Sequence, residues 1–93
     1  MEKTEICRKV LHLRQNDQIT LVYSLISELG CEESVGVDVC CYGIEIQCKE
    51  RNESASVRNI TVSLPKISEM LDKIASGFVT PVTLTDVVLD LIG

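Results

Sequence analysis

The chain has 93 residues, of which 45% are hydrophobic and 3% aromatic, and a formal net charge of −5. A length close to that of an average folding unit predicts one domain over residues 1–93, and the apolar content excludes a fully disordered chain. With so few aromatic rings, the core must be built mainly from Val, Ile and Leu. The excess of 14 acidic over 9 basic residues disfavours nucleic acid and anionic membrane surfaces as partners, because both attract clustered Lys and Arg.

The apolar runs of the chain are short. None approaches the roughly 20 consecutive apolar residues that a membrane-spanning helix needs. The first five residues, Met-Glu-Lys-Thr-Glu, also lack the apolar core of a secretion signal. We therefore expect a cytoplasmic protein that does not enter a membrane.

The first third of the chain predicts a β-hairpin. Apolar and polar side chains alternate irregularly over residues 5–14, and residues 15–18 are polar and typical of a turn. Residues 19–26 alternate with a period of two and are rich in β-branched side chains, which favours a strand. A helix over 18–29 is the alternative, since leucines also recur there at every fourth position.

The clearest predicted strand spans residues 38–48, after a loop over 30–37 that is bracketed by glycines. Gly43 interrupts this strand and suggests a bulge or a close approach by another backbone. One face of the strand is apolar and consists of Cys40, Tyr42, Ile44, Ile46 and Cys48.

A fourth strand is predicted after a charged turn over residues 49–56. Alternation from residue 57 to residue 64 is typical of a strand with one apolar face. The residues expected to face inward are Arg58, Ile60, Val62 and Leu64.

Two helices are predicted at the end of the chain. Pro65 suits the first helical position, and Gly77 is expected to end that helix as a left-handed cap. Thr83, with Asp86 three residues later, is expected to cap the second helix. The apolar residues at helical spacing are Ile67, Met70, Leu71 and Ile74 in the first helix, and Leu84, Val87, Val88 and Leu91 in the second.

These elements together predict an α+β fold in the order ββββαα. The four strands form an antiparallel meander, and the two C-terminal helices pack on one face of it. Neither helix is long enough to persist alone in water, so both must lie on the sheet.

The cysteines are the only residues that suggest a chemical site. Because their number is odd, they cannot all pair within the chain, and in a reducing cytosol all would be thiols. Cys40 and Cys41 are adjacent and point to opposite faces of a strand, which disfavours a shared metal. We expect the cysteines to serve as small core residues. The alternative is a metal-binding or redox site formed by some of Cys7, Cys31, Cys40, Cys41 and Cys48.

Other candidate groups point to no catalytic site, cofactor or metal. His12 is the only histidine and is expected on a surface or at a sheet edge. Glu32 and Glu33 are expected in a solvated loop, and Asp86 and Asp90 on an exposed helix face.

Two segments resemble a family of small uncharacterised proteins from anaerobic spore-forming Gram-positive bacteria. They are Tyr42-Gly43-Ile44-Glu45-Ile46 and the helix that begins Pro81-Val82-Thr83-Leu84-Thr85-Asp86-Val87-Val88-Leu89-Asp90. The resemblance covers roughly residues 38 to 92, and members often carry His at the position of Thr83. It implies a cytoplasmic bacterial protein of unknown function and supplies no active-site residues.

The functional prediction is therefore a small non-enzymatic protein–protein interaction module. Its partner is expected to be another protein or a second copy of the chain in a homodimer, because an open sheet edge can accept a further strand. The alternative is a cysteine-based metal-binding or redox protein.

Overall fold

A computed structural model describes residues 2–12, 14, 17–29 and 40–92. The expected order of elements, ββββαα, is confirmed. The strands are β1 (Glu2–His12), β2 (Gln18–Leu29), β3 (Cys40–Cys48) and β4 (Glu53–Thr61), and the helices are α1 (Leu64–Ser76) and α2 (Leu84–Ile92), with a short 3₁₀ turn over Pro81–Thr83.

The strands form one antiparallel sheet in the order β1-β2-β3-β4, as the predicted meander requires. β2 is a strand and not the alternative helix, and it pairs with both β1 and β3. Its leucines lie at positions that an alternating strand can also bury. The loop over residues 30–37, with Cys31, Glu32 and Glu33, lies outside the described residues, as do residues 15 and 16 of the predicted turn.

The core lies between the sheet and the helices. The predicted inward residues Ile44 and Ile46 of β3 have no exposed surface, and Cys48 is also buried. The helices supply the other side, as their spacing predicts, with Val87 and Leu91 partly buried at its margin. The fully or largely buried helix residues are Ile67, Met70, Leu71, Ile74, Ala75, Leu84 and Val88.

The predicted phase of β4 is wrong, and a bulge explains the error. Tyr42 pairs with Thr61, whereas Ile44 pairs with Val57. β4 therefore has extra residues opposite Gly43. Asn59 takes a left-handed φ of 55° within that bulge. The strand also starts earlier than predicted, at Glu53, and its residues that pack on the core are Ala55, Val57 and Ile60.

Three of the four residues expected to face inward from β4 do not reach the core. Arg58 is exposed and forms an ion pair with Glu28 on β2, in which Arg58 Nη2 lies 2.7 Å from Glu28 Oε2. Val62 and Leu64 lie beyond the end of the strand and are 51% and 47% exposed. Simple alternation fails here because it assumes a strand without an insertion.

The end of α1 also differs from the expectation. Ser63 caps its start by accepting from the backbone N–H of Lys66, with Pro65 in the first turn. Gly77, however, has a φ of −86°, and the left-handed residue is Phe78 at 53°. The Phe78 N–H donates to the Ala75 carbonyl and the Val79 N–H to the Ile74 carbonyl, which is the Schellman pattern.

Thr83 does not act as the predicted side-chain cap. It lies in the 3₁₀ turn before α2, and its hydroxyl donates to the Thr80 carbonyl at 3.4 Å. A threonine hydroxyl this close to a preceding carbonyl bonds locally instead of to the helix amides.

The sheet face opposite the helices is also protected. Val22 and Ile26 of β2 are buried there, at 3% and 2% exposure. The ion pair between Lys3 on β1 and Glu45 on β3, 3.3 Å long, crosses β2 close to Ile26. Long charged side chains can cover apolar surface in this way with their aliphatic stems while their charged ends stay in water.

Candidate functional site

The helix layer does not extend over the first strand of the sheet. α1 packs on β2, β3 and β4, and α2 packs mainly on β4. No residue of β1 is buried, although Cys7 and Leu11 are partly buried against the core. β1 therefore projects beyond the helices as an edge strand.

A cavity of about 170 Å³ lies in the angle between this strand and α1. Its walls are apolar on both sides, and charged Lys9 and Asp72 also line it. We call it the β1–α1 groove, and its lining residues are Ile6, Cys7, Lys9, Tyr23, Leu25, Ser68, Leu71, Asp72, Ala75 and Ser76.

Exposed apolar side chains lie close to this groove. Ile6 on β1, which lines the groove, is 53% exposed. Phe78 is 42% exposed, and the Lys9 ammonium lies 5.9 Å from the centre of its ring, within cation–π range. The Schellman turn holds Phe78 in a backbone conformation that costs a bulky residue about 1–2 kcal/mol. The strained backbone of Phe78 thus lies beside the groove.

Tyr23 lines the groove, and a hydrogen bond holds its side chain in place. Its side chain is buried, and its hydroxyl donates to the Val79 carbonyl at 2.9 Å. Burial, with a smaller electrostatic contribution from the nearby Cys7, raises the pKa of Tyr23 to about 12. The hydroxyl therefore stays protonated at neutral pH and joins the sheet to the segment that links the helices.

We predict that this hydroxyl makes unfolding more favourable in strong alkali. Since the pKa of Tyr23 is higher in the folded chain than its ordinary value of 10, its contribution to stability is complete below pH 10 and is lost as pH rises towards 12. Urea titrations at intervals from pH 9 to pH 12 should show a smaller loss of stability for Tyr23→Phe than for the unmodified chain. Equal losses in the two chains would show that Tyr23 does not contribute.

The cysteines do not converge on one site within the described residues. Cys7 lines the groove, Cys48 is buried in the core, and Cys40 lies beside Ser27 with its Sγ 3.4 Å from the hydroxyl oxygen. These three are free thiols. Cys41 is on the opposite sheet face, is 1% exposed and is disulfide-bonded, which corrects the expectation that every cysteine is a thiol.

The other predicted candidate groups are also dispersed. His12 is exposed at the end of the edge strand, as expected, and Asp86 and Asp90 are exposed on α2. Across the described ranges, no three His, Cys, Asp or Glu side chains are grouped closely enough to hold a metal ion. A second hollow of about 250 Å³ is lined by residues of the β3–β4 turn, including Lys49 and Asn52.

Sequence reasoning predicted an open edge but missed the groove. The signal lay in the mixed alternation of residues 5–14, where apolar and charged residues share both faces. A fully covered strand would show a continuous apolar run or a clean alternation. Within the same described part of the chain, neither helix has the length and apolar content needed to cross a membrane.

Comparison with known proteins bears on the family of the chain. A search of curated proteins and a search of solved structures each found no match. The model of a family of unknown function, DUF6514, matches residues 2–93. Because that match spans almost the whole sequence, the chain belongs to the DUF6514 family.

Proposed function

We propose that this chain is a small non-enzymatic protein–protein interaction module that binds by adding a partner's strand to the edge of β1. The observation that carries the proposal is the edge strand itself. β1 has 11 residues, none of them buried, and among the described residues no other strand pairs with its outer side. An unpaired strand edge presents backbone N–H and C=O groups that a further strand can satisfy.

The opposite edge of the sheet is less suited to accept a strand. β4 is interrupted by the bulge opposite Gly43, and Asn59 takes a left-handed conformation there. Such a bulge twists an edge and breaks the regular spacing of its hydrogen-bonding groups. β1 has a smaller irregularity, between Glu5 and Cys7, and pairs regularly on either side of it.

The surroundings of β1 favour a protein partner over a small polar ligand. The β1–α1 groove offers apolar walls, and Ile6 and Phe78 expose apolar surface near it. In strand addition, backbone hydrogen bonds supply affinity, and pockets for alternate side chains supply specificity. The groove is suited to receive such side chains.

The remaining parts of the proposal concern chemistry and location. On this proposal the chain has no catalytic role, needs no cofactor and acts in the cytoplasm of a bacterium, where the disulfide of Cys41 must persist against cellular thiols. The scattering of its cysteines and carboxylates supports a binding role. The alternative of a cysteine-based metal site gains no ligand set from the described residues.

Ile6→Lys should abolish partner binding through β1 without unfolding the chain. Ile6 is half exposed, so the substitution costs little stability, whereas a lysine there puts a charge into the strand-pairing surface. Affinity capture from a lysate of the source cells, followed by mass spectrometry, would compare the unmodified chain with this variant. We expect proteins retained by the unmodified chain to be lost from the variant.

Leu89→Lys is the matched control, because Leu89 is an exposed apolar residue at 61% on α2. It should retain every partner. Binding that survives Ile6→Lys but is lost with Leu89→Lys would move the interaction surface to α2 and contradict the proposal.

A further inference from the structure

We propose that the partner of β1 is β1 of a second copy of this chain, paired antiparallel about a two-fold axis between Ile6 and Cys7. This inference rests on the proposed function and names its partner. The resulting dimer would contain one continuous sheet with both pairs of helices on the same side.

The irregularity in β1 determines which residues share a face. Residues opposite each other in an antiparallel pair point to the same side of the sheet. After the irregularity, Cys7 pairs with Tyr23 and therefore faces the helices, while Arg8 pairs with Val22 and faces away. Before it, Thr4 pairs with Leu25 and faces the helices, while Glu5 pairs with Ser24 and faces away.

An ion pair within β1 supports this assignment. Arg8 Nη2 lies 2.9 Å from Glu5 Oε1, although residues three apart in a regular strand point to opposite faces. Ile6 and Cys7, the residues at the irregularity, line the same groove. The extra residue thus places two neighbouring side chains, Ile6 and Cys7, on the helix side.

This arrangement selects one register for two paired copies. A symmetric antiparallel pair whose axis lies between two consecutive residues brings those two residues opposite each other. Consecutive residues of a strand normally face opposite sides, and in β1 only Ile6 and Cys7 share one. With the axis there, faces match along the whole strand, and the pairs are Glu2 with Leu11, Lys3 with Val10, Thr4 with Lys9, Glu5 with Arg8 and Ile6 with Cys7.

The charges favour this register over one confined to residues 7–11. It brings Glu5 of each copy opposite Arg8 of the other on the outer face. A register confined to residues 7–11 also matches faces, but it sets Lys9 against Lys9 of the second copy. Opposite charges stabilise a cross-strand pair, whereas like charges destabilise it.

The distribution of charge over the whole chain also makes β1 the favourable contact between two copies. β1 holds three basic residues against two acidic ones, which gives it a net charge of +1 in a chain of −5. Most other surfaces of two acidic copies repel each other. Approach through β1 separates the acidic parts and brings the mixed-charge strands together.

A charge-exchange experiment on the full chain tests the register. Glu5→Arg places four positive charges around the two-fold axis of a self-dimer, and Arg8→Glu places four negative ones. Each variant alone should therefore self-associate about tenfold more weakly or worse, and an equimolar mixture should form a heterodimer at least as readily as the unmodified chain. Sedimentation velocity gives the masses, and circular dichroism verifies that each variant is folded.

The control uses a second exposed ion pair, Glu69 with Lys73 on α1, whose charged atoms are 3.2 Å apart. Glu69→Arg and Lys73→Glu should leave self-association unchanged. A monomeric unmodified chain would overturn the second-copy proposal, while loss of lysate partners with Ile6→Lys would still support the proposed function. Dimers that persist in both Glu5→Arg and Arg8→Glu would overturn the register.

Discussion

Gly43→Ala is expected to destabilise the protein by about 2 kcal/mol or more, because overpacking at a backbone contact commonly costs 1–3 kcal/mol. A Cβ at Gly43 would lie 2.4 Å from the Val57 carbonyl oxygen and 2.9 Å from the Arg58 Cα. Both are backbone atoms of β4, so the bulge itself must move. Removing a glycine also restricts the unfolded chain, but that gain is only about 0.4–1 kcal/mol and does not offset the clash. Urea denaturation followed by circular dichroism measures the difference.

Gly77→Ala is the matched control for this substitution. Gly77 has a negative φ, and the nearest atom to an added Cβ is the Lys73 carbonyl oxygen at 3.3 Å. A shift of a few tenths of an ångström relieves that contact, so the change in stability should be under about 1 kcal/mol. Equal losses of stability for Gly43→Ala and Gly77→Ala would contradict the close approach of β4 to β3 at Gly43.

Leu84→Ala should destabilise the protein by about 2–5 kcal/mol, the range for removal of a buried leucine side chain. Leu84 has no exposed surface and belongs to the core that the sheet and both helices share. Its removal leaves a cavity where α2 begins, so the helix loses one of its two buried side chains. Thermal unfolding of the variant should show a lower midpoint and a single transition.

Leu89→Ala on the same helix provides the comparison. Leu89 is 61% exposed, and exposed substitutions usually change stability by under about 0.5 kcal/mol. Similar losses for Leu84→Ala and Leu89→Ala would mean that α2 does not pack on the sheet through its predicted face.

Hydrophobic spacing predicted the fold wherever the backbone is regular. The alternation of apolar side chains in β3, up to Cys48, identified its buried face correctly. The helical spacing of apolar residues around Ile67 in α1 and Val88 in α2 did the same for the helices. These patterns succeed because side-chain direction follows directly from strand or helix geometry. Gly43 also predicted a bulge or close contact, and both are present.

The errors arise where the backbone departs from regular geometry. The bulge in β4 sets four residue steps opposite two of β3, so alternation fails through it, and nothing in the sequence of that segment marks where it begins. Phe78 takes the left-handed position expected of Gly77 because the two hydrogen bonds of the turn hold it there. The β1–α1 groove depends on how far the helices extend over the sheet, which is a property of packing and not of any local pattern.

Amide hydrogen exchange across a range of protein concentrations tests most directly whether β1 is the binding edge. If β1 pairs with a second copy, the outward amides of Glu2–His12 should exchange more slowly as concentration rises, while those of β4 keep the same rates. Exchange in β1 that does not change with concentration, while β4 or α2 becomes protected, would contradict the proposal that β1 is the interaction surface.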